Sequence, residues 1–104
     1  MADELHVVGV TADGRLLHAI RRRDGDWQEF RDVGRAAGRP GEVFVRAGAA
    51  VVGGDLHVCA TDKDGRLWHT IRTPGGEWQA FRDAGREARA PGAFADVVCA
   101  GPPS

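Results

Sequence analysis

Residues 56–86 read LHVCATDKDGRLWHTIRTPGGEWQAFRDAGR, and residues 5–35 read LHVVGVTADGRLLHAIRRRDGDWQEFRDVGR. Displaced by 51 positions, Leu5–Gly41 lies over Leu56–Gly92, and 21 of the 37 aligned pairs are identical. Shared composition does not produce identity that dense, so the chain is an internal repeat, about 4–52 and 55–100, with 101–104 as a tail. Inside each copy the apolar runs are short and separated by residues that tolerate positive φ. Leu5–Val10 is followed by Asp13-Gly14, Arg15–Arg21 by Asp24-Gly25, and Trp27–Val33 closes the set. The second copy uses Asp64-Gly65 and Gly75-Gly76. This is the punctuation of antiparallel hairpins. Arg31–Gly38 has weak helical spacing that Gly34 and Gly38 interrupt, and it reads as a loop.

A fourth run, Val43–Val52, is built from Val, Ala and Gly. Its counterpart is Phe94–Ala100. Small side chains suit a strand crowded around an axis, so each unit of about 50 residues reads as a four-stranded antiparallel blade. The expectation is an all-β chain carrying two β-propeller blades. The first three runs lack an inner strand, and the trailing Phe94–Ala100 strand lacks companions. Strand exchange between copies solves both, closing a ring by homo-oligomerisation: a six-bladed trimer first, an eight-bladed tetramer next. Deletion of Phe94–Ser104 is then expected to abolish assembly.

The remaining composition narrows the chemistry. In 104 residues, 14 basic and 15 acidic side chains leave a net charge of −1, which does not suit a nucleic-acid or membrane-surface binder. No apolar run approaches the ~18 residues of a membrane helix. The acidic start Met1-Ala2-Asp3-Glu4 does not read as a signal peptide, so a cytoplasmic location is the default, or release by an unseen route. Cys59 and Cys99 are too few for a disulfide scaffold and match no zinc spacing. Asp62-Lys63-Asp64-Gly65 lacks the ligands of a calcium loop. The one serine is Ser104, and no nucleophile–base pair or phosphate loop is visible, so the expectation is no enzyme, no metal and no cofactor.

The pieces Leu56-His57-Val58, Asp64-Gly65-Arg66-Leu67-Trp68-His69, Ile71-Arg72 and Trp78-Gln79-Ala80-Phe81, with their first-copy equivalents, resemble the tectonin-like, PLL-type bacterial lectin propellers. The resemblance spans Leu5–Ala100. It implies pockets between adjacent blades for fucose or related sugars. Full-length members of that family are seven-bladed single chains, and this chain departs from them in length. In architecture it is similar to short two-blade lectins that trimerise.

A sugar offers an apolar C–H face and a rim of hydroxyls, so aromatic rings and amide or guanidinium forks are the candidate site residues. They are Trp68, Trp27, Trp78, His18, His69, Arg21, Arg72, Gln28 and Gln79. Each has a structural reading beside the functional one. Trp27 and Trp78 read as wedges between blades. His18 and His69, each 12 residues after His6 and His57, read as hydrogen-bonded repeat histidines. Arg21 and Arg72 read as partners of Asp32 and Asp83. Trp68 replaces Leu17 of the first copy, so the repeat does not demand it, and it stands out as the site candidate. Several weak, equal pockets favour multivalent glycan binding. The alternative is a propeller scaffold, or a fragment or engineered piece of one, with no sugar site.

Overall fold

In the computed structural model, residues 4–92 are described. They form two antiparallel sheets. The first contains β1 (Leu5–Val10), β2 (Leu16–Arg21) and β3 (Trp27–Asp32), in that order; the second contains β4 (Phe44–Val52), β5 (Asp55–Asp62), β6 (Leu67–Arg72) and β7 (Arg82–Asp83). The small-residue run therefore pairs with the second copy, with Ala47 opposite Ala60 and Ala49 opposite Val58. The first sheet has three strands among the described residues. The expected trailing strand Phe94–Ala100 lies outside them.

Matching turns build the matching hairpins. After β1, Thr11 N–H donates to Arg15 O at 2.9 Å and Gly14 takes φ 89°; after β5, Asp62 N–H donates to Arg66 O at 3.0 Å and Gly65 takes φ 79°. The second turns, ended by Gly25 (φ 94°) and Gly76 (φ 91°), repeat the geometry. A side chain at these φ values is strained, which is why glycine recurs there.

Two segments depart from the sequence expectation. Arg31–Gly38 is not all loop: Val33–Ala36 is a single-turn helix, α1, and Ala84–Glu87 repeats it as α2. Asp32 accepts from Arg35 N–H at 3.0 Å, and Asp83 from Arg86 N–H at 2.9 Å. These N-caps overcome the poor propensity of the flanking glycines. The second departure is the Trp78 run, which joins β6 fully only at Arg82–Asp83, after a bridge at Arg72–Trp78. Between them, Thr70 Oγ1 donates to Gln79 O at 2.6 Å, and Phe81 N–H donates to Ala37 O at 3.0 Å. Ladder pairing yields there to a side chain and to the neighbouring helix end. The first copy has Ala19 where Thr70 stands, and its β3 is continuous.

The sheets stack face to face. Leu16 and Val33 from the first copy join Leu56, Val58, Ala60, Trp68 and Phe81 from the second in one buried cluster, with Val8 and Val10 against it. Burial of these side chains, about 1.5–3 kcal/mol for each of the fully buried Leu, Val and Phe and less for Ala60, joins the two sheets.

Candidate functional site

Strand alternation aims His6, Val8, Val10, Leu16, His18 and Ile20 at one face of the first sheet, because His6 pairs with Ile20, Val8 with His18 and Val10 with Leu16. The apolar members meet the second sheet. His18 stands at the edge of that contact, where the sheets diverge into a groove of about 360 Å³ lined by His18, Gln28, Glu29, Arg31, Arg72 and Trp78 among others.

Trp78 meets His18 edge-on, ring centroids 5.4 Å apart at 83°. Behind it, His6 stacks on His18 at 5.2 Å and 12°, with His6 Nδ1 and His18 Nε2 2.9 Å apart. One ring must donate and the other accept, so the pair is held in register and the angle of His18 is fixed. Burial, then the charge potential of His6 and of the Arg72 guanidinium, lowers His18 to about 4 from 6.5. Burial also lowers His6, with Arg72 acting in the same direction. At neutral pH the groove therefore presents an uncharged imidazole, an amide and an indole beside the guanidinium groups of Arg31 and Arg72 and the carboxyl groups of Glu29 and Asp32. The second copy repeats the histidine pair: His57 Nδ1 and His69 Nε2 are 2.9 Å apart, with rings 5.1 Å apart at 14°. The structural reading of the repeat histidines as hydrogen-bonded pairs holds in both copies.

Of the nine residues singled out in the sequence, four converge here: His18, Gln28, Arg72 and Trp78. Trp27 is exposed on the far side of the first sheet, and Arg21 is beside it. His69 lies on β6 and Gln79 follows the Arg72–Trp78 bridge, and neither lines this groove. Trp68 is a core residue, 4% exposed. Its indole N–H donates to Asp62 Oδ2 at 2.9 Å, and the Arg39 guanidinium carbon lies 3.8 Å above the ring. Asp62 Oδ1 also accepts from the N–H groups of Asp64 and Arg66. Burial pushes the Asp62 carboxyl up, but these donors outweigh it and hold it below the ordinary value. Trp68 thus offers no free face to a ligand. The expected pairing of Arg21 and Arg72 with Asp32 and Asp83 is not among the ion pairs of the described residues: Arg21 and Arg72 lie opposite Trp27 and Trp78, whereas Asp32 and Asp83 lie opposite Leu17 and Trp68, at the other end of β2 and β6.

Glu29 and Arg31 went unnoticed in the sequence. Counting back from the Asp24-Gly25 turn pairs His18 with Phe30, but a bulge between His18 and Ile20 shifts the ladder by one and sets Arg31 opposite His18. That shift turns Arg31 into the groove and leaves Phe30 outside it.

Comparison with protein-family models, curated proteins and solved structures yields no match.

Proposed function

We propose that this chain is a carbohydrate-binding lectin subunit: two propeller blades, weak sugar sites of the fucose type or related in the grooves between them, and a ring of copies that multiplies those sites. The observation that carries the reading is the convergence of His18, Gln28, Arg72 and Trp78 on one groove of about 360 Å³, within the size range of small-ligand clefts. A pyranose needs an apolar wall for its C–H face, and the Trp78 indole supplies one. Its hydroxyls need donors and acceptors that remain in place without a ligand. The neutral, stacked His18 imidazole provides either role, the Gln28 amide provides both, and the Arg72 guanidinium donates as a planar fork.

The assembly favoured is the six-bladed trimer, then the eight-bladed tetramer, completed through the C-terminal strand. The competing reading is a propeller scaffold that presents protein surface and holds no sugar. Glycan-array screening followed by calorimetry separates them. The lectin reading expects a monosaccharide-inhibitable signal that falls at least about tenfold in Arg72→Ala, with an unchanged circular dichroism spectrum. A folded, assembled protein that binds no glycan overturns it in favour of the scaffold.

A further inference from the structure

The two copies of the repeat treat one arginine differently. Arg31 on β3 and Arg82 on β7 are equivalent positions, displaced by 51 residues. Each stands opposite a repeat histidine, Arg31 opposite His18 and Arg82 opposite His69. In the second copy Arg82 Nη1 lies 3.8 Å from Oε2 of Glu87, the last residue of α2. In the first copy the last residue of α1 is Ala36, so the carboxylate that meets the arginine is missing. The exposed Arg82–Glu87 pair adds little stability; its relevance is the charge it balances. Two other carboxylates line the groove beside Arg31, and neither replaces it. Asp32 Oδ1 accepts from Arg35 N–H at the start of α1, and Glu29 belongs to no ion pair among the described residues.

Arg31 also has a neighbour of like charge. Arg72 lines the same groove from the second sheet. A Cβ on Gly76 would stand 3.2 Å from Arg72 Nη2, so the guanidinium lies over its turn, in a space that glycine keeps open. Among the described residues, neither Arg31 nor Arg72 belongs to an ion pair. The charges that act on His18 are those of His6 and Arg72, both in the same direction, and no carboxylate counters them there. Two guanidinium groups thus converge on one cleft of about 360 Å³ with no carboxylate bound to either. Each is a planar fork of parallel N–H donors, the shape that matches the two oxygens of a carboxylate.

We infer that the groove between the two described sheets binds a carboxylate, held by Arg31 and Arg72, and that its ligand is therefore an acid. The sugar part of that ligand rests on the lectin reading above, and the carboxylate part does not. Taken together they name a sugar acid of the uronate type, its ring face on Trp78 and its hydroxyls toward His18 and Gln28. A neutral sugar would leave Arg31 with water alone. Glu29 is exposed at the rim and repels an anion, so it limits affinity without reversing the preference of two guanidinium groups. The equivalent of Arg31 in the second copy is already met by Glu87, so the preference for an acid belongs to the first copy.

The test is calorimetry on the full-length chain at low ionic strength with methyl glucuronide, methyl glucoside and cyclohexanecarboxylate, the last an acid on a ring of similar size without hydroxyls. The glucuronide is expected to bind at least about tenfold tighter than the glucoside. That ratio is expected to fall toward one in Arg31→Gln and as salt is raised, and to rise in Glu29→Gln. Arg31 and Glu29 are both exposed on β3, so unchanged circular dichroism spectra and melting points are expected, and a change in the ratio then reports on charge. Equal binding of the two sugars, or tighter binding of the glucoside, overturns the inference and leaves the lectin reading standing. Binding of cyclohexanecarboxylate that is lost in Arg31→Gln, with neither sugar bound, keeps the carboxylate site and rejects the lectin reading. A folded protein that binds no acid, or whose acid binding is indifferent to Arg31→Gln, overturns the inference outright.

Discussion

The indole N–H of Trp68 donates to Asp62 Oδ2 at 2.9 Å, and the first copy of the repeat changes both members together, to Leu17 and Thr11. Thr11 keeps the half of the role that the turn requires: its Oγ1 accepts from Arg15 N–H at 3.0 Å, as Asp62 Oδ1 accepts from Arg66 N–H at 3.0 Å. Asp62 has a second oxygen for the indole. Asp62→Thr should therefore leave a buried donor unpaired and cost about 1–3 kcal/mol. Trp68→Leu should cost about 2–4 kcal/mol through the cavity it leaves. The double variant, which restores the first-copy pair, should cost less than the sum. A urea-melt double-mutant cycle checks this, and strict additivity contradicts it.

Stability should depend on His18 between pH 6.5 and about 4. Its folded pKa is depressed, so in that window the unfolded chain binds a proton that the folded chain refuses. The contribution is present above pH 6.5 and is lost as pH falls, by roughly 3 kcal/mol at about 1.4 kcal/mol per unit. His6 and His69 shift in the same direction. Thermal melts from pH 7.5 to 4 should fall steeply in wild type and less steeply in His18→Gln, which removes the titration but keeps a donor and an acceptor.

Sugar binding in the His18 groove should be flat from pH 8 to 6, because the imidazole remains neutral throughout. A calorimetric titration series showing a loss of affinity centred near pH 6.5 would count against His18 as a neutral hydroxyl partner.

Arg89 occupies the left-handed region at φ 56°, where its first-copy equivalent is Gly38 at φ 89°. Arg89→Gly should stabilise the chain by up to about 1 kcal/mol by relieving the Cβ strain. Gly14→Ala should do the reverse and more severely, since its Cβ would stand 2.5 Å from Val43 Cγ1 at φ 89°. Denaturant midpoints for the two variants should move in opposite directions.

Strand positions were readable because Asp-Gly and Gly-Gly turns fix hairpin ends locally, and the 12-residue separation of His6 and His18 became a stacked pair for the same reason. What could not be read depended on partners distant in sequence. Trp68 looked free for a site because Leu17 replaces it; only the matched change of Thr11 to Asp62 marks it as core. The one-turn helices were hidden by glycines and depend on the Asp32 and Asp83 caps. The short β7 depends on a Thr70 hydroxyl and on a Phe81 amide that reaches Ala37 O, and neither has a periodic signature. The groove was legible as a set of residue types. The bulge that brings Arg31 beside His18 was not.

Since the repeat stacks unlike faces, the two-sheet unit has polarity, like an arrow. Two-fold pairing cannot satisfy such an object, because the surface each end needs is present only at the other end. In the ring proposed above, successive copies would all point the same way, and the rotation per step alone would decide between closure and an endless filament. In such an assembly, a substitution that alters the tilt between Leu16 and Leu56 would act on particle length before it acted on any ligand.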